Sequence, residues 1–221
     1  QTQAGGRFLL AGAWKRVGQF SQHPYAHDEI ENVRRNVGVI DVSTLGKFRL
    51  FGPDALKALQ RMYIGDMAKL TPGKLKYTAM CNEDGCIIDD GVVGKLDEND
   101  YHFTTSTGRA AATVEWFRFH TRYEDWKYYL VNLTDAFGAI NLAGPNSRAV
   151  LQRITSADVS NAAFPYMGFR EVTLVNGVKA RLLRVGFLGE MGFEIHVPSS
   201  MSPALWELLM EAGREFGLKP F

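Results

Sequence analysis

The stretch Lys47-Phe48-Arg49-Leu50-Phe51-Gly52-Pro53-Asp54-Ala55-Leu56-Lys57-Ala58-Leu59-Gln60-Arg61-Met62 returns, altered, as Ala139-Ile140-Asn141-Leu142-Ala143-Gly144-Pro145-Asn146-Ser147-Arg148-Ala149-Val150-Leu151-Gln152-Arg153-Ile154. Gly-Pro falls on Gly-Pro and Leu-Gln-Arg-Met on Leu-Gln-Arg-Ile, at a shift of 92 residues. The same shift, without a gap, lays Tyr101-His102-Phe103-Thr104-Thr105 onto Phe193-Glu194-Ile195-His196-Val197. An equal offset at two separate places makes coincidence a poor explanation. In the first copy a strand is expected over Lys47 to Phe51. Gly-Pro then opens a helix, Ala55 to Met62, with Leu56, Leu59 and Met62 on one face. The later strands lead into helices at roughly 109–119 and 202–213. Each half therefore reads strand, helix, three strands, helix, with a closing strand. That order predicts an α+β fold of two pseudo-repeated, ferredoxin-like βαβ-type modules with antiparallel sheets, rather than a doubly wound sheet. Modules packed about a pseudo-two-fold axis are expected to enclose a cavity where they meet.

Working outward, the expected division is an irregular, aromatic-rich segment over 1–25, a first module over 26–130 and a second over 131–221. From His27 the pattern is helical, with Ile30, Val33 and Val37 at spacings of three and four. Asp28 and Glu29 fall in its first turn and Gly38 serves as a stop. The 221 residues are ample for a substantial core. Twenty-five basic residues against 24 acidic ones predict no general affinity for nucleic acid or for an anionic membrane. No apolar run approaches the roughly 20 residues that cross a bilayer. Gln1 to Gly6 has no charged stretch before an apolar core, so no signal peptide is expected, and a cytoplasmic protein is. The chain lacks an initiator Met and reads as the start of a fragment or processed chain. Cys81 and Cys86 are expected to be reduced.

Lys76-Tyr77-Thr78-Ala79-Met80-Cys81-Asn82-Glu83-Asp84-Gly85-Cys86-Ile87-Ile88-Asp89-Asp90-Gly91-Val92-Val93 reads as strand, tight turn, strand. Successive strand side chains face opposite ways, so at most one of Asp89 and Asp90 lies on a given side. A carboxylate facing an enclosed pocket from such a support has its pKa raised by burial or by a like charge. The other reading is that both cap a turn in water.

Arg184 to Val197 is hairpin-like, with glycines at 186, 189 and 192. Phe193, Ile195 and Val197 alternate onto one face, which leaves Glu194 and His196 on the other. Glu194 reads either as a fork acceptor for an N–C–N group on a heterocycle or as part of an exposed strand face. The glycine spacing is not G-x-G-x-x-G and opens no helix, so no dinucleotide or phosphate loop is expected. His23, His27, His102, His120 and His196 show no metal-ligand spacing.

The helix to Gly38, Ile40-Asp41-Val42-Ser43-Thr44-Leu45-Gly46-Lys47, the Gly52-Pro53 helix, Tyr77 through Asp90, and Gly186-Phe187-Leu188-Gly189-Glu190-Met191-Gly192-Phe193-Glu194 together resemble the glycine-cleavage T-protein (aminomethyltransferase) family. Thr44-Leu45-Gly46-Lys47, Asp89-Asp90-Gly91, Thr104-Thr105-Ser106-Thr107-Gly108 and the run Asn161 to Glu171 are similar to the folate-binding region of the heterotetrameric sarcosine oxidase α subunit. N-methylglutamate dehydrogenase subunits and dimethylglycine-oxidising enzymes are relatives on that branch. The resemblance implies a tetrahydrofolate site. It places Asp90 beside the reactive N5/N10 edge as the catalytic carboxylate, and Glu194 on the pterin amide and amine. Tyr77 and Leu45 fall on other folate-lining positions. Phe187 stands where T-proteins usually carry Tyr, and Ser106 where they place an Asn, so a polar contact is expected to change at each.

The implied chemistry starts from an N-methyl amine oxidised elsewhere to an iminium. Folate N5 attacks that carbon, the amine leaves, and N10 closes the ring to 5,10-methylenetetrahydrofolate. Such a reaction needs orientation of two reactants and a carboxylate to move one proton, with enclosure against hydrolysis to formaldehyde. Relatives continue into a segment that supplies an Arg to the folate and then into a small β-barrel. This sequence stops before both, so it is expected to be a piece of a larger polypeptide. FAD, FMN and NAD are expected only through regions outside it or through sarcosine oxidase-type partner subunits. Two alternatives stand: a non-catalytic folate-binding or scaffold module of an oxidase complex, and a folate-dependent O- or S-demethylase.

Overall fold

The computed structural model describes residues 1–20 and 26–221. A hairpin of β1 (Arg7–Ala11) and β2 (Trp14–Gln19) is followed by α1 (His27–Arg35), β3 (Val37–Asp41) and β4 (Gly46–Phe51). Next come α2 (Ala55–Met62), β5 (Leu75–Cys81), β6 (Ile87–Asp97), β7 (Asp100–Thr105), α3 (Ala110–Thr121) and β8 (Tyr129–Asn132). The second copy supplies β9 (Phe137–Ala143), α4 (Ser147–Arg153), β10 (Phe169–Thr173), β11 (Lys179–Leu183), β12 (Gly192–Pro198), α5 (Ser202–Ala212) and β13 (Leu218–Pro220).

The chain divides into two units, residues 45–135 and residues 1–44 with 136–221. In the first, five antiparallel strands lie in the order β5-β6-β7-β4-β8. Phe48, Leu50, Met80, Val93 and Phe103 pack against Ala58 and Leu59 of α2 and Phe117 of α3. Phe48 and Phe103 are a directly opposed cross-strand pair whose rings stack at 4.9 Å, a favourable aromatic arrangement. In the second unit the order is β10-β11-β12-β9-β3-β13. Ile140, Leu142, Phe193, Ile195 and Val197 form its core with Val150 and Leu151 of α4 and Leu205 and Leu209 of α5. Among the described residues neither sheet closes into a barrel. The antiparallel α+β modules of the sequence are both present, and β10-β11-β12-β9 repeats the order β5-β6-β7-β4.

The copies differ at the closing strand. Beside β4 lies β8, the strand after α3, but the place beside β9 is taken by β3, and β13 pairs with β3 in parallel. Val37 and Val39 thus share the core of the second repeat, and residues 1–44 group with 136–221, which differs from a division at residue 130. The reason is burial: Val37 and Val39 are fully buried with Ile140 and Leu142. This also corrects the reach of the first helix. α1 ends at Arg35, Val37 opens a strand and Gly38 lies within it. Ile30, expected on the apolar helix face, is exposed. Residues 7–19, expected to be irregular, form a hairpin with Phe8 opposite Val17 and Ala11 opposite Trp14. Residues 21–25, with His23, lie outside the described residues. Among the described residues, no helix is long and apolar enough to cross a membrane.

The two Gly-Pro corners share one backbone solution. Gly52 has φ +120° and Gly144 φ +126°. A Cβ at Gly52 would stand 2.8 Å from Lys127 O, and one at Gly144 2.7 Å from Asn36 O and Val33 O. Both positions require glycine, for conformation and for space. Gly52→Ala and Gly144→Ala are each expected to cost about 1–3 kcal/mol. For a chain of this size that lowers the melting temperature by roughly 2–4 °C per kcal/mol. Thermal unfolding followed by circular dichroism measures it, and unchanged melting in both variants would contradict the assignment.

Candidate functional site

Pairing of β5 with β6 sets Met80 opposite Asp89 and Ala79 opposite Asp90. Met80 is in the helix-side core, so Asp89 turns to that side and Asp90 to the other. The adjacent carboxylates consequently do different things. Asp89 is buried, 7% exposed, and its two oxygens accept the Ser106 backbone N–H at 3.3 and 3.2 Å. Its charge also acts on Tyr63, whose phenol pKa is pushed far up, by burial first and by Asp89 second. Asp90 is half-buried and accepts a short hydrogen bond from the Tyr77 hydroxyl. That bond is the main cause, ahead of the Asp90 charge, of a raised Tyr77 pKa. A phenol donating to a carboxylate gives up its proton less readily. Neither Asp caps a turn in water, because β6 continues through both to Asp97.

Leu45 and Ser106 meet at the end of another strand pair. Gly46 is opposite Thr105, so the next residues outward are Leu45 and Ser106. The Leu45 carbonyl accepts from Nζ of the fully buried Lys47 at 2.8 Å, and Ser106 is held by Asp89. Unit 45–135 thus carries four of the expected site residues: Leu45, Tyr77, Asp90 and Ser106. Tyr77 keeps 62% of its surface exposed.

Glu194 and Phe187 belong to the other unit. On β12, Phe193, Ile195 and Val197 enter the core, which sends Glu194 and His196 to the opposite face, with Asn141 of β9 across from Glu194. Of the two readings of Glu194, the exposed strand face fails. The side chain is only 12% exposed, and Glu194 Oε2 lies 3.0 Å from Nε2 of the fully buried His196. Phe187 is 92% exposed on the loop between β11 and β12. That loop is tied to α1 by Glu190, whose Oε1 accepts from Arg34 at 2.7 Å.

Sequence reasoning did not single out Asp89 as the anchor of Ser106 or His196 as the partner of Glu194. The signals were the adjacency Asp-Asp and the i, i+2 spacing Glu-x-His in a strand. Cys81 and Cys86 are free thiols. Among the described residues no group of three or more His, Cys, Asp or Glu is placed to hold a metal ion.

Absorbance titration should find the Tyr77 phenol ionising above the usual tyrosine value of about 10 and returning toward it in Asp90→Ala; no change would contradict the pairing. Asp89→Ala should lower stability by about 1–3 kcal/mol, because it strips the Ser106 N–H of its acceptor. Asp90→Ala should melt close to the wild type, and equal melting of the two variants would contradict the division of roles.

The whole chain, residues 1–221, matches the family described as the GCVT N-terminal domain. It is 37% identical over 225 residues to the sarcosine oxidase subunit alpha of Corynebacterium sp. (strain U-96), covering 98% of this chain and 23% of that protein. It is 36% identical over 218 residues to the aminomethyltransferase of Natranaerobius thermophilus, covering 99% of this chain and 58% of that one. The crystal structure of the glycine cleavage system aminomethyltransferase T from Bartonella henselae superimposes with a TM-score of 0.83 at 24% identity, over 99% of this chain and 56% of that one. That likeness shows a common fold. The chain spans less than two thirds of the length of each of these relatives.

Proposed function

Because the chain belongs to the GCVT N-terminal domain family, with sarcosine oxidase alpha subunits and aminomethyltransferases as relatives, we propose that it is the folate-binding part of an enzyme that passes a one-carbon unit from an oxidised N-methyl amine to tetrahydrofolate, giving 5,10-methylenetetrahydrofolate. The observation that carries this reading is the separation of the two adjacent carboxylates. Asp89 is committed to Ser106, while Asp90 stands on the other strand face, steadied by Tyr77 and still half-open.

The residues fit the carrier. A pterin offers amide and amine N–H donors side by side, and an ionised carboxylate accepts only, so Glu194 is matched to that edge. When bound, tetrahydrofolate supplies the two nitrogens that take up the one-carbon unit. Asp90 favours positive charge at a reacting nitrogen and moves one proton, a task suited to a carboxylate held on a strand. Tyr77 fixes Asp90 Oδ2 and leaves Oδ1 for that work. In this reading Leu45 and Phe187 are each assigned an apolar contact to the carrier, and the Ser106 hydroxyl a polar one. FAD, FMN and NAD chemistry belongs in this reading to other regions or to sarcosine oxidase-type partner subunits, in a cytoplasmic assembly.

Asp90→Ala in the full-length enzyme is expected to keep tetrahydrofolate affinity within about threefold, while methylene transfer falls by about 10²–10⁴, the usual weight of a general acid–base group. The assay is the partition of product between 5,10-methylenetetrahydrofolate and free formaldehyde. An unchanged partition would overturn the catalytic role and leave a scaffold.

A further inference from the structure

Glu194 lies beside a buried imidazole to which the catalytic reading assigns no task. His196 follows it by two residues on β12, so the pleat sets both on the face away from the apolar core. His196 is fully buried, and its Nε2 is 3.0 Å from Glu194 Oε2. An ionised carboxylate has no proton to give, so in this pair Nε2–H donates and Oε2 accepts.

We propose that His196 is a positioning residue for recognition of a heterocycle with two neighbouring N–H donors: its Nε2–H fixes the plane of the Glu194 carboxylate, leaving Oε1 and the free lone pair of Oε2 aimed at those donors. The proposal rests on the folate reading of Glu194 and adds the device that makes that residue selective. The terminal torsion of a Glu side chain is soft and roughly two-fold, so the backbone alone leaves the carboxylate plane undefined. A donor seated on the same strand face removes that freedom before the ligand arrives, and a pre-set acceptor pair spares an ordering cost on binding. His196 cannot easily drift, because its strand is held on both sides, Arg181 of β11 facing it across one pair and Ala139 of β9 across the other. The carboxylate has roughly four acceptor sites. His196 uses one, and two donors of a pterin edge still find partners.

The test is binding of tetrahydrofolate and of its 2-desamino-2-methyl analogue, which lacks one of the two donors, to the full-length wild type and to His196→Leu, His196→Gln and Glu194→Gln. Loss of a charge-assisted hydrogen bond is expected to weaken tetrahydrofolate binding by about tenfold in His196→Leu. The preference for tetrahydrofolate over the analogue should also shrink, because the unfixed carboxylate no longer reads the missing amine. His196→Gln, which keeps a donor near the same place, should recover both to within about threefold. Equal loss toward both ligands with the preference intact, or His196→Gln no better than His196→Leu, would make the residue merely structural and overturn the proposal. Without recourse to any variant, the ¹⁵N resonances of His196 in the wild type should show Nε2 protonated before and after saturation with tetrahydrofolate, and an unprotonated Nε2 would overturn it. The reading beneath fails separately, and the proposal with it, if the wild type does not bind tetrahydrofolate or if Glu194→Gln binds it as the wild type does.

Discussion

The structure depends on the register of two strands, each of which must send neighbouring side chains to opposite faces of its sheet. On β6 the pairing with β5 commits Asp89 to the helix side and Asp90 to the opposite one. On β12 the pairing with β9 commits Phe193, Ile195 and Val197 to the core, and Glu194 with His196 away from it. A slip of one residue would exchange the two aspartates and drive a carboxylate and an imidazole among Leu142, Leu205 and Leu209. The cost of burying those groups without partners fixes the register more firmly than any single hydrogen bond does.

A duplicated unit explains why the two halves solve this problem alike. Gly52 and Gly144 share an unusual backbone angle at the same structural corner, and four strands stand in the same order in each sheet. The duplication then breaks down where the sheets are completed. β8 closes the sheet of residues 45–135 from within that unit, whereas β3 reaches the other sheet from far earlier in the chain. One repeat is therefore inserted within the other's fold rather than following it along the chain.

Much of this was legible in the sequence, and the misses have physical causes. The Gly-Pro repeat revealed the modules because Gly-Pro does one job wherever a strand must turn at once into a helix. Strand alternation showed that Asp89 and Asp90 diverge, but only Met80, buried opposite Asp89, tells which goes where. Val37 fitted both a helical spacing and a strand spacing. The strand won because β9 offered Val37 and Val39 a buried edge, a tertiary fact that no local window contains. The hairpin of residues 7–19 lacks the alternation that marks a half-buried strand, since most of its side chains are exposed or half-exposed. Glu194 could be placed on a face, but strand alternation does not tell whether that face is covered, and the side chain proves to be only 12% exposed.

The central claim is that strand geometry holds Glu194 ready as a fixed double acceptor for the flat end of a folate. A high-resolution structure of the protein with tetrahydrofolate bound tests it most directly. Glu194 should accept from the pterin amide and amine while Oε2 keeps its bond to His196. A pterin seated away from Glu194, or a carboxylate rotated off His196 to reach it, would contradict the account.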